Sequence, residues 1–206
     1  IAVDDLKDWT NALKGYSGPV HTPNLDRLAD TGTVFTNAFA QVAICNPSRV
    51  SILTGKPPTE TNVFDNQTDW EAAVDPAETL FGVMHAAGYE TIGIGKLWHT
   101  GATQAANEVM FDDYQYMGND ALDVTTDGRP IGPYTGPDQL RDEVRADHVA
   151  SFLAEYRPED RPLMLSVGFA KPHVDWVVPK EYFDLYPLDD IVLDGIAPNE
   201  TVDIAA

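Results

Sequence analysis

Apolar and polar positions follow one another in a strand, loop, helix, strand rhythm, with no internal repeat and no low-complexity segment. Ile1-Ala2-Val3 reads as the end of a buried strand running into two aspartates. Thr22 suits the cap of a helix that begins at Pro23, carries Leu25, Leu28 and Ala29 on one face, and stops at Gly32. Val34-Phe35 to Phe39 looks extended. A second helix starts near Pro47 and runs through Val50, Ile52 and Leu53 to Gly55. A third has Asp75 as cap, Pro76 at its first position, Leu80, Phe81, Val83 and Met84 as apolar residues, and Gly88 at its end. It feeds Tyr89 to Ile94, whose β-branched content predicts a buried strand.

From about Gly101 to Asp138 the period is lost, and the Gly, Pro, Asp and Tyr content, including Gly128-Arg129-Pro130-Ile131-Gly132-Pro133, predicts a long excursion loop. Order returns with Leu140, Val144, His148, Phe152 and Tyr156, spaced by fours, with Val149 and Leu153 beside them. This is an amphipathic helix ended by Pro158, with His148 facing the core. Leu163 to Phe169 is a short apolar strand. Helices of about ten residues between buried strands predict an α/β sandwich with a mainly parallel central sheet. In such sheets the chemistry lies beyond the carboxyl ends of the strands.

Composition narrows the partners. The 206 residues include 13 basic and 33 acidic ones, a formal charge of −20, with 43% hydrophobic residues. That is ordinary globular composition, enough for one domain or a little more. The acidity argues against nucleic acid, which needs Lys and Arg to displace counterions. The longest apolar stretches are far short of the roughly 20 residues that span a bilayer. The single cysteine, Cys45, excludes an internal disulfide framework. Ile1 follows no charged n-region or cleavage site, and Thr201 to Ala206 ends without capping or packing logic. The chain is therefore expected to be a piece of a longer protein.

The strand exits carry the candidate chemistry. Asp4 and Asp5 follow the first strand, Gly95-Lys96-Leu97-Trp98-His99 the middle one, and Lys171-Pro172-His173 the last, while Cys45-Asn46-Pro47-Ser48-Arg49 opens the second helix. Adjacent carboxylates are hard oxygen donors suited to Ca²⁺ or Mg²⁺, and equally suited to a solvated turn. A cysteine at a helix N-terminus beside an arginine is a reactive one, although a lone cysteine also serves as a small buried hydrophobe. Lys and His supply cationic hydrogen bonds and proton transfer, or simply surface and loop packing. With so few basic residues in the chain, Arg49, Lys96 and Lys171 together make a local cationic pocket. On an anionic body this suits a small anionic group rather than a polyanion.

These residues carry a resemblance. Ala43-Ile44-Cys45-Asn46-Pro47-Ser48-Arg49-Val50-Ser51-Ile52-Leu53-Thr54-Gly55 resembles the first signature of the type I sulfatases, centred on Cys-x-Pro-x-Arg. Gly88-Tyr89-Glu90-Thr91-Ile92-Gly93-Ile94-Gly95-Lys96-Leu97-Trp98-His99 looks like the second. Val3-Asp4-Asp5-Leu6, Phe35 to Gln41, Ala170-Lys171-Pro172-His173 and Pro187 also fit, so the resemblance covers nearly the whole chain. Within the family it is most similar to the iduronate-2-sulfatase branch, whose bacterial relatives act on varied sulfated sugars. Asn46 is a less usual residue inside the first pattern, though not at one of its recognised positions.

The resemblance implies an alkaline-phosphatase-like α/β sandwich, of which residues 1–206 would be the N-terminal part, truncated at both ends. It implies a sulfuric ester hydrolase acting on a sulfated small molecule or saccharide. Asp4 and Asp5 match two metal ligands, usually for Ca²⁺, with Mg²⁺ also possible. Cys45 matches the residue that a maturation enzyme oxidises to formylglycine, whose hydrate is both nucleophile and metal ligand. Arg49 matches the residue that holds that hydrate, and Lys96, His99 and His173 those around the sulfate and the leaving oxygen; Lys171 takes no role. An exported location, periplasmic, secreted or lysosomal, is implied as well. The family's metal site also needs an Asp and a His or Asn in an Asp-His-Gly-type motif, and here Asp147-His148 is followed by Val149. Those ligands are expected beyond Ala206, and the chain alone to bind metal weakly and turn over poorly.

Two other functions stay open: a phosphodiesterase or phosphonate hydrolase of the same superfamily, and a catalytically inactive, sugar-binding or structural homologue. Asp65 to Trp70 and the Gly/Pro-rich middle are candidate substrate loops, or plain solvated ones. Asn66-Gln67-Thr68 and Asn199-Glu200-Thr201 match glycosylation acceptors, relevant in a eukaryotic source.

Overall fold

The computed structural model describes residues 1–118, 120, 131–157 and 161–193. Gly128 to Pro130, Pro158, Asn199 to Thr201 and the final residues, all named in the sequence reading, lie outside that set. The chain divides into two compact units. The first comprises Ile1–Asp5, Phe39–Leu122 and Pro137–Val174, and the second Leu6–Ala38, Asp123–Gly136 and Asp175–Ala206.

The first unit is built on a four-stranded sheet. Its strands are β1 (Ala2–Val3), β2 (Glu90–Gly95), β3 (Asp113–Gln115) and, later in the chain, Leu163–Phe169. The order is Ala2–Val3, Leu163–Phe169, Glu90–Gly95, Asp113–Gln115, and every pairing is parallel. This is the mainly parallel α/β sheet that the hydrophobic runs predicted. Ile92, Ile94 and Val167 are buried in it, as a sheet covered by helices requires.

The helices of this unit are Cys45–Thr54, Pro58–Thr61, Trp70–Ala73, Leu80–Ala86, Gln104–Met110 and Arg141–Glu155. The second helix of the sequence reading begins two residues earlier than Pro47, at Cys45, because proline is accommodated in a first turn whose N–H groups have no intrahelical partner. It ends at Gly55, which takes a left-handed φ of 68° and returns its N–H to the Ser51 carbonyl at 2.9 Å. The expected helix from Pro76 to Gly88 is two pieces. Asp75 caps a short 3₁₀ turn over Pro76–Glu78, and Thr79 then adopts an extended ψ of 158° and caps Leu80–Ala86 by accepting the Gly82 N–H at 3.1 Å. The long excursion loop contains structure as well. Thr103 caps Gln104–Met110, which buries Ala106 and Met110, and Asp113–Gln115 joins the sheet edge.

In Arg141–Glu155 the fully enclosed side chain is Arg145. His148 is half-buried rather than a core residue, and Leu153 is exposed. Arg145 finds its partners in Asp142, at 2.5 Å, and the Gly118 carbonyl. Asp142 in turn accepts the Ala170 and Lys171 N–H groups at 3.0 and 2.7 Å. The core is aromatic: Trp70 and Trp98 stack with centroids 3.8 Å apart, Phe81 meets Trp98 edge-on, and Phe111 continues the cluster to Tyr114.

The second unit contains a helix at Pro23–Thr31, a second at Lys180–Asp184, and the parallel strand pair Ile131–Tyr134 and Trp176–Pro179. The helix at Pro23–Thr31 has the bounds predicted, but it buries none of its residues, and Leu28 is largely exposed. Thr22 donates its hydroxyl to Asp26 instead of capping through its side chain. Val34 to Phe39 forms no strand; Phe35 and Phe39 are exposed, and without a neighbouring ladder an extended run gains no hydrogen bonds.

Candidate active site

The site forms where three chain segments leave regular structure at one end of the sheet. Asp4 continues Ala2–Val3, donating its N–H to the Phe169 carbonyl at 3.2 Å. Asp5 follows with φ 58°, a left-handed conformation that aspartate tolerates better than most residues. That turn leaves Asp4 buried and Asp5 exposed. Cys45 is the first residue of its helix and is half-buried. One oxygen each from Asp4 and Asp5 and the Cys45 sulfur lie within 4.8 Å of one another. The three residues that sequence similarity assigned to a metal therefore converge, although nothing in the forty positions from Asp5 to Cys45 announces it.

The cations are tied to the same carboxylate. Arg49, one helical turn from Cys45, donates Nη2 to Asp4 Oδ1 at 2.7 Å and Nη1 to the carbonyls of Lys96 and Leu97 at 2.9 and 2.8 Å. Lys96 Nζ donates to Asp4 Oδ2. Burial alone would raise the Asp4 carboxyl, but the hydrogen bonds and charges of Lys96 and Arg49 outweigh it and hold it below the usual carboxylate range. Arg49 and Lys96 are thus not two loose cations awaiting an anion, as their scarcity in the sequence suggested. They are fixed by a shared buried carboxylate.

Two glycines allow Lys96 to reach this place. Gly95 pairs with Gly168 across the sheet. A Cβ on Gly95 would sit 2.2 Å from the Gly168 carbonyl oxygen, and one on Gly168 would sit 2.0 Å from that of Lys96. Only hydrogen fits at either position, and Gly95 also needs its φ of 77°. Beyond Lys96, Leu97 and Trp98 are buried in the aromatic core, so the segment carrying His99 is anchored at Trp98. Trp70 donates Nε1 to the Gly101 carbonyl at 3.0 Å, and Glu71 accepts the Thr103 N–H and hydroxyl at 2.6 and 2.7 Å, holding the segment on its far side.

His99 Nδ1 is buried and has no hydrogen-bond partner among the described residues. Burial first, then the charges of Lys96 and Arg49, push its pKa below the ordinary histidine value; Asp4 opposes this and His173 adds to it. His173 is half-buried in the turn after Leu163–Phe169, its N–H on the Ala170 carbonyl at 3.0 Å and its Nδ1 against the Val174 carbonyl. His99 lies near enough to Lys96, Arg49, Asp4 and His173 to feel their charges, and among the described residues no hydrogen bond joins either histidine to Asp4, Arg49 or Lys96. The Lys171 backbone N–H goes to Asp142.

Sequence reading noted Asn46 as unusual within the first signature but gave it no role. It is fully buried, donating Nδ2 to the carbonyls of Asp65 and Thr68 at 3.0 and 2.9 Å, while its own N–H goes to Asn66 Oδ1 at 3.0 Å. The Asp65–Thr68 turn, a candidate substrate loop in the sequence, is thereby attached to the residue after Cys45. The available signal was the polar residue between Cys45 and Pro47.

The chain matches the family model described as Sulfatase over residues 1–191. It belongs to the sulfatase family, and its sheet is the parallel α/β core of the alkaline-phosphatase-like fold. Among curated proteins it is 32% identical to iduronate 2-sulfatase of Mus musculus over 94% of this chain and 38% of the relative, and 31% identical to that of Homo sapiens over 96% and 40%. A protein named Sulfatase from Formosa agariphila is 31% identical over 93% of this chain and 42% of the relative. The chain spans about two fifths of the length of the curated relatives it matches. Among the described residues no helix is long and apolar enough to cross a membrane.

Proposed function

We propose that this chain carries the nucleophile-bearing part of a sulfuric ester hydrolase acting on a sulfated saccharide. The observation that carries the reading is the convergence of Asp4, Asp5 and Cys45 within 4.8 Å, beside Arg49 and Lys96. Relatives named for iduronate, N-acetylglucosamine and ulvan sulfate chemistry support the saccharide class. Export to a periplasmic, secreted or lysosomal location belongs to the same reading.

The donor set fits a hard divalent cation on one condition. Two carboxylates suit Ca²⁺ or Mg²⁺, and a thiol does not. Conversion of Cys45 to formylglycine by a maturation enzyme, with hydration of the aldehyde, makes all three donors oxygen. Asp4, Asp5 and residue 45 would then hold the ion, with Ca²⁺ the family's usual choice. Held there, the cation would supply polarisation of the sulfuryl oxygens, and the hydrate at residue 45 would supply the attacking hydroxyl.

The chain's own residues do the rest. Arg49, fixed by two carbonyls and Asp4, holds residue 45 in one orientation, and Lys96 supplies positive charge where negative charge grows on the sulfuryl oxygens. His99 and His173 are the groups that move a proton to the departing alcohol oxygen. Such proton transfer is typically worth about 10²–10⁴-fold. Over the cycle one water is consumed, the S–O bond to the sugar breaks, and an alcohol and hydrogen sulfate leave.

The test uses the full-length protein from a host that has the maturation enzyme. Mass spectrometry of the peptide containing residue 45 should show an aldehyde in place of the thiol. The protein should hydrolyse sulfate esters in preference to phosphate monoesters, diesters and phosphonates, and Cys45→Ala should abolish turnover. An intact thiol with no turnover would establish the inactive homologue, and a preference for phosphodiesters the alternative hydrolase.

A further inference from the structure

The first turn of the Cys45–Thr54 helix has an unusual hydrogen-bond inventory. The early N–H groups of a helix have no intrahelical acceptor. Here Pro47 has none to satisfy, Ser48 bonds back to the Ile44 carbonyl at 3.1 Å, and no side chain within the helix caps it. The Asn46 N–H is satisfied from outside, by Asn66 Oδ1 at 3.0 Å. The Asn46 side chain then reaches back across the same gap with both donors of its amide, to the carbonyls of Asp65 and Thr68. Two carbonyl acceptors fix which end of that amide is nitrogen. The turn that receives them is itself stiff, since Asp65 Oδ1 accepts the N–H of Gln67 and of Thr68 and the Thr68 hydroxyl at 3.0, 2.7 and 2.7 Å.

We propose that Asn46 and Asn66 are positioning residues for residue 45: their amides lock the first turn of its helix to the Asp65–Thr68 turn. This rests on the reading of residue 45 as the nucleophile's site. Residue 45 is the first residue of its helix, so the helix holds its backbone on one side only while its side chain meets Asp4 and Asp5. The lock fixes its backbone from the other side. Displacement of a reacting group by about 1 Å is enough to cost on the order of 10²-fold in rate. Neither asparagine touches substrate; both act through residue 45.

The test compares Asn66→Ala with Asn66→Asp in the matured full-length enzyme, because Asn66 is half-buried and its replacement leaves the core alone. Asp keeps an acceptor oxygen for the Asn46 N–H and puts a favourable negative charge at a helix N-terminus. Formylglycine content is measured in each variant so that rates refer to matured sites. Asn66→Ala should lower kcat for an aryl sulfate by about 10- to 100-fold with KM within about twofold, and should speed hydrogen exchange at the Asn46 amide. Asn66→Asp should restore both. Asn46→Asp, which replaces the donor facing two carbonyl oxygens with an acceptor, should match or exceed the Ala defect. The proposal is overturned if Asn66→Ala keeps kcat within twofold, if only KM moves, or if Asn66→Asp is as impaired as Asn66→Ala. A wild type matured at residue 45 that hydrolyses no sulfate ester would instead overturn the proposed function, and exchange at Asn46 would still decide whether the lock exists.

Discussion

Arg49 and Asp4 form a buried ion pair, Nη2 to Oδ1 at 2.7 Å, between residues 45 positions apart in the chain. The pair joins the helix that begins at Cys45 to the end of the strand Ala2–Val3. Because the guanidinium also binds the Lys96 and Leu97 carbonyls, one side chain ties together all three segments of the candidate site. Its structural and chemical roles are therefore inseparable in a simple deletion.

Arg49→Met is expected to destabilise the metal-free protein by about 3–5 kcal/mol, the range for removing one partner of a buried pair, since Asp4 then retains only Lys96. Urea unfolding measures it. A loss under about 1 kcal/mol would show the pair to be solvated like a surface one. Lys96→Met leaves the Arg49 bonds to Asp4 and the two backbone carbonyls intact, so its larger effect should fall on kcat, by about 10²–10³-fold, as for removal of one preorganised donor.

Burial, reinforced by Lys96 and Arg49, lowers the pKa of His99, so the folded protein binds fewer protons at this site than the unfolded chain. Stability from this group is fully present above the unfolded value of about 6.5 and declines as pH falls through that value toward the lowered one. His99→Gln should therefore flatten the stability profile between pH 7 and the folded midpoint, as read by urea unfolding across that window. An NMR titration of wild-type His99 with a midpoint at or above 6.5 would contradict the burial argument.

What was legible in the sequence depended on local chemistry. Gly55 and Asp75 announced turns and caps through backbone and side-chain rules that act over a few residues, and the apolar run Leu163–Phe169 announced a buried strand. Val34 to Phe39, read as extended, forms no strand because β propensity makes a strand only where a partner exists, and among the described residues none pairs with Phe35 or Phe39. Gln104–Met110 was missed because it is short and set among turn-forming residues, although Thr103 gave a cap. At the site, the motifs named Asp4, Cys45 and Arg49, but their pairing spans tens of residues and is a property of the parallel sheet. The Asn46–Asn66 contact crosses from helix to turn, and neither residue type carries a periodic signal.

Trp70 braces the segment that carries His99 from 31 positions upstream of Gly101, through its stack on Trp98 and its Nε1 bond to the Gly101 carbonyl. Trp70→Leu removes both and leaves a void in the aromatic core, at a cost of about 3–5 kcal/mol. Trp70→Phe keeps an aromatic face and loses the hydrogen bond, at about 1 kcal/mol. Near-UV circular dichroism should lose the stacked-indole signal in both. If kcat falls in Trp70→Phe while KM holds, the brace positions His99; an unchanged kcat would restrict Trp70 to a stability role.

Substitution of Asp5 tests the proposed metal role apart from folding, because Asp5 is exposed while Asp4 is buried in ion pairs. Asparagine tolerates the left-handed φ of 58° as aspartate does, so Asp5→Asn carries no backbone penalty. In metal-free protein its stability should match wild type within about 0.5 kcal/mol. Added Ca²⁺ at 100 times the wild-type Kd should stabilise the wild type by about 2.7 kcal/mol. A tenfold weaker site in Asp5→Asn should forfeit about 1.4 kcal/mol of that at the same concentration. Thermal or urea unfolding of the full-length protein, with and without Ca²⁺, reads both numbers. Equal Ca²⁺ stabilisation of the two proteins would remove Asp5 from the ligand set and leave its left-handed turn as a purely geometric feature.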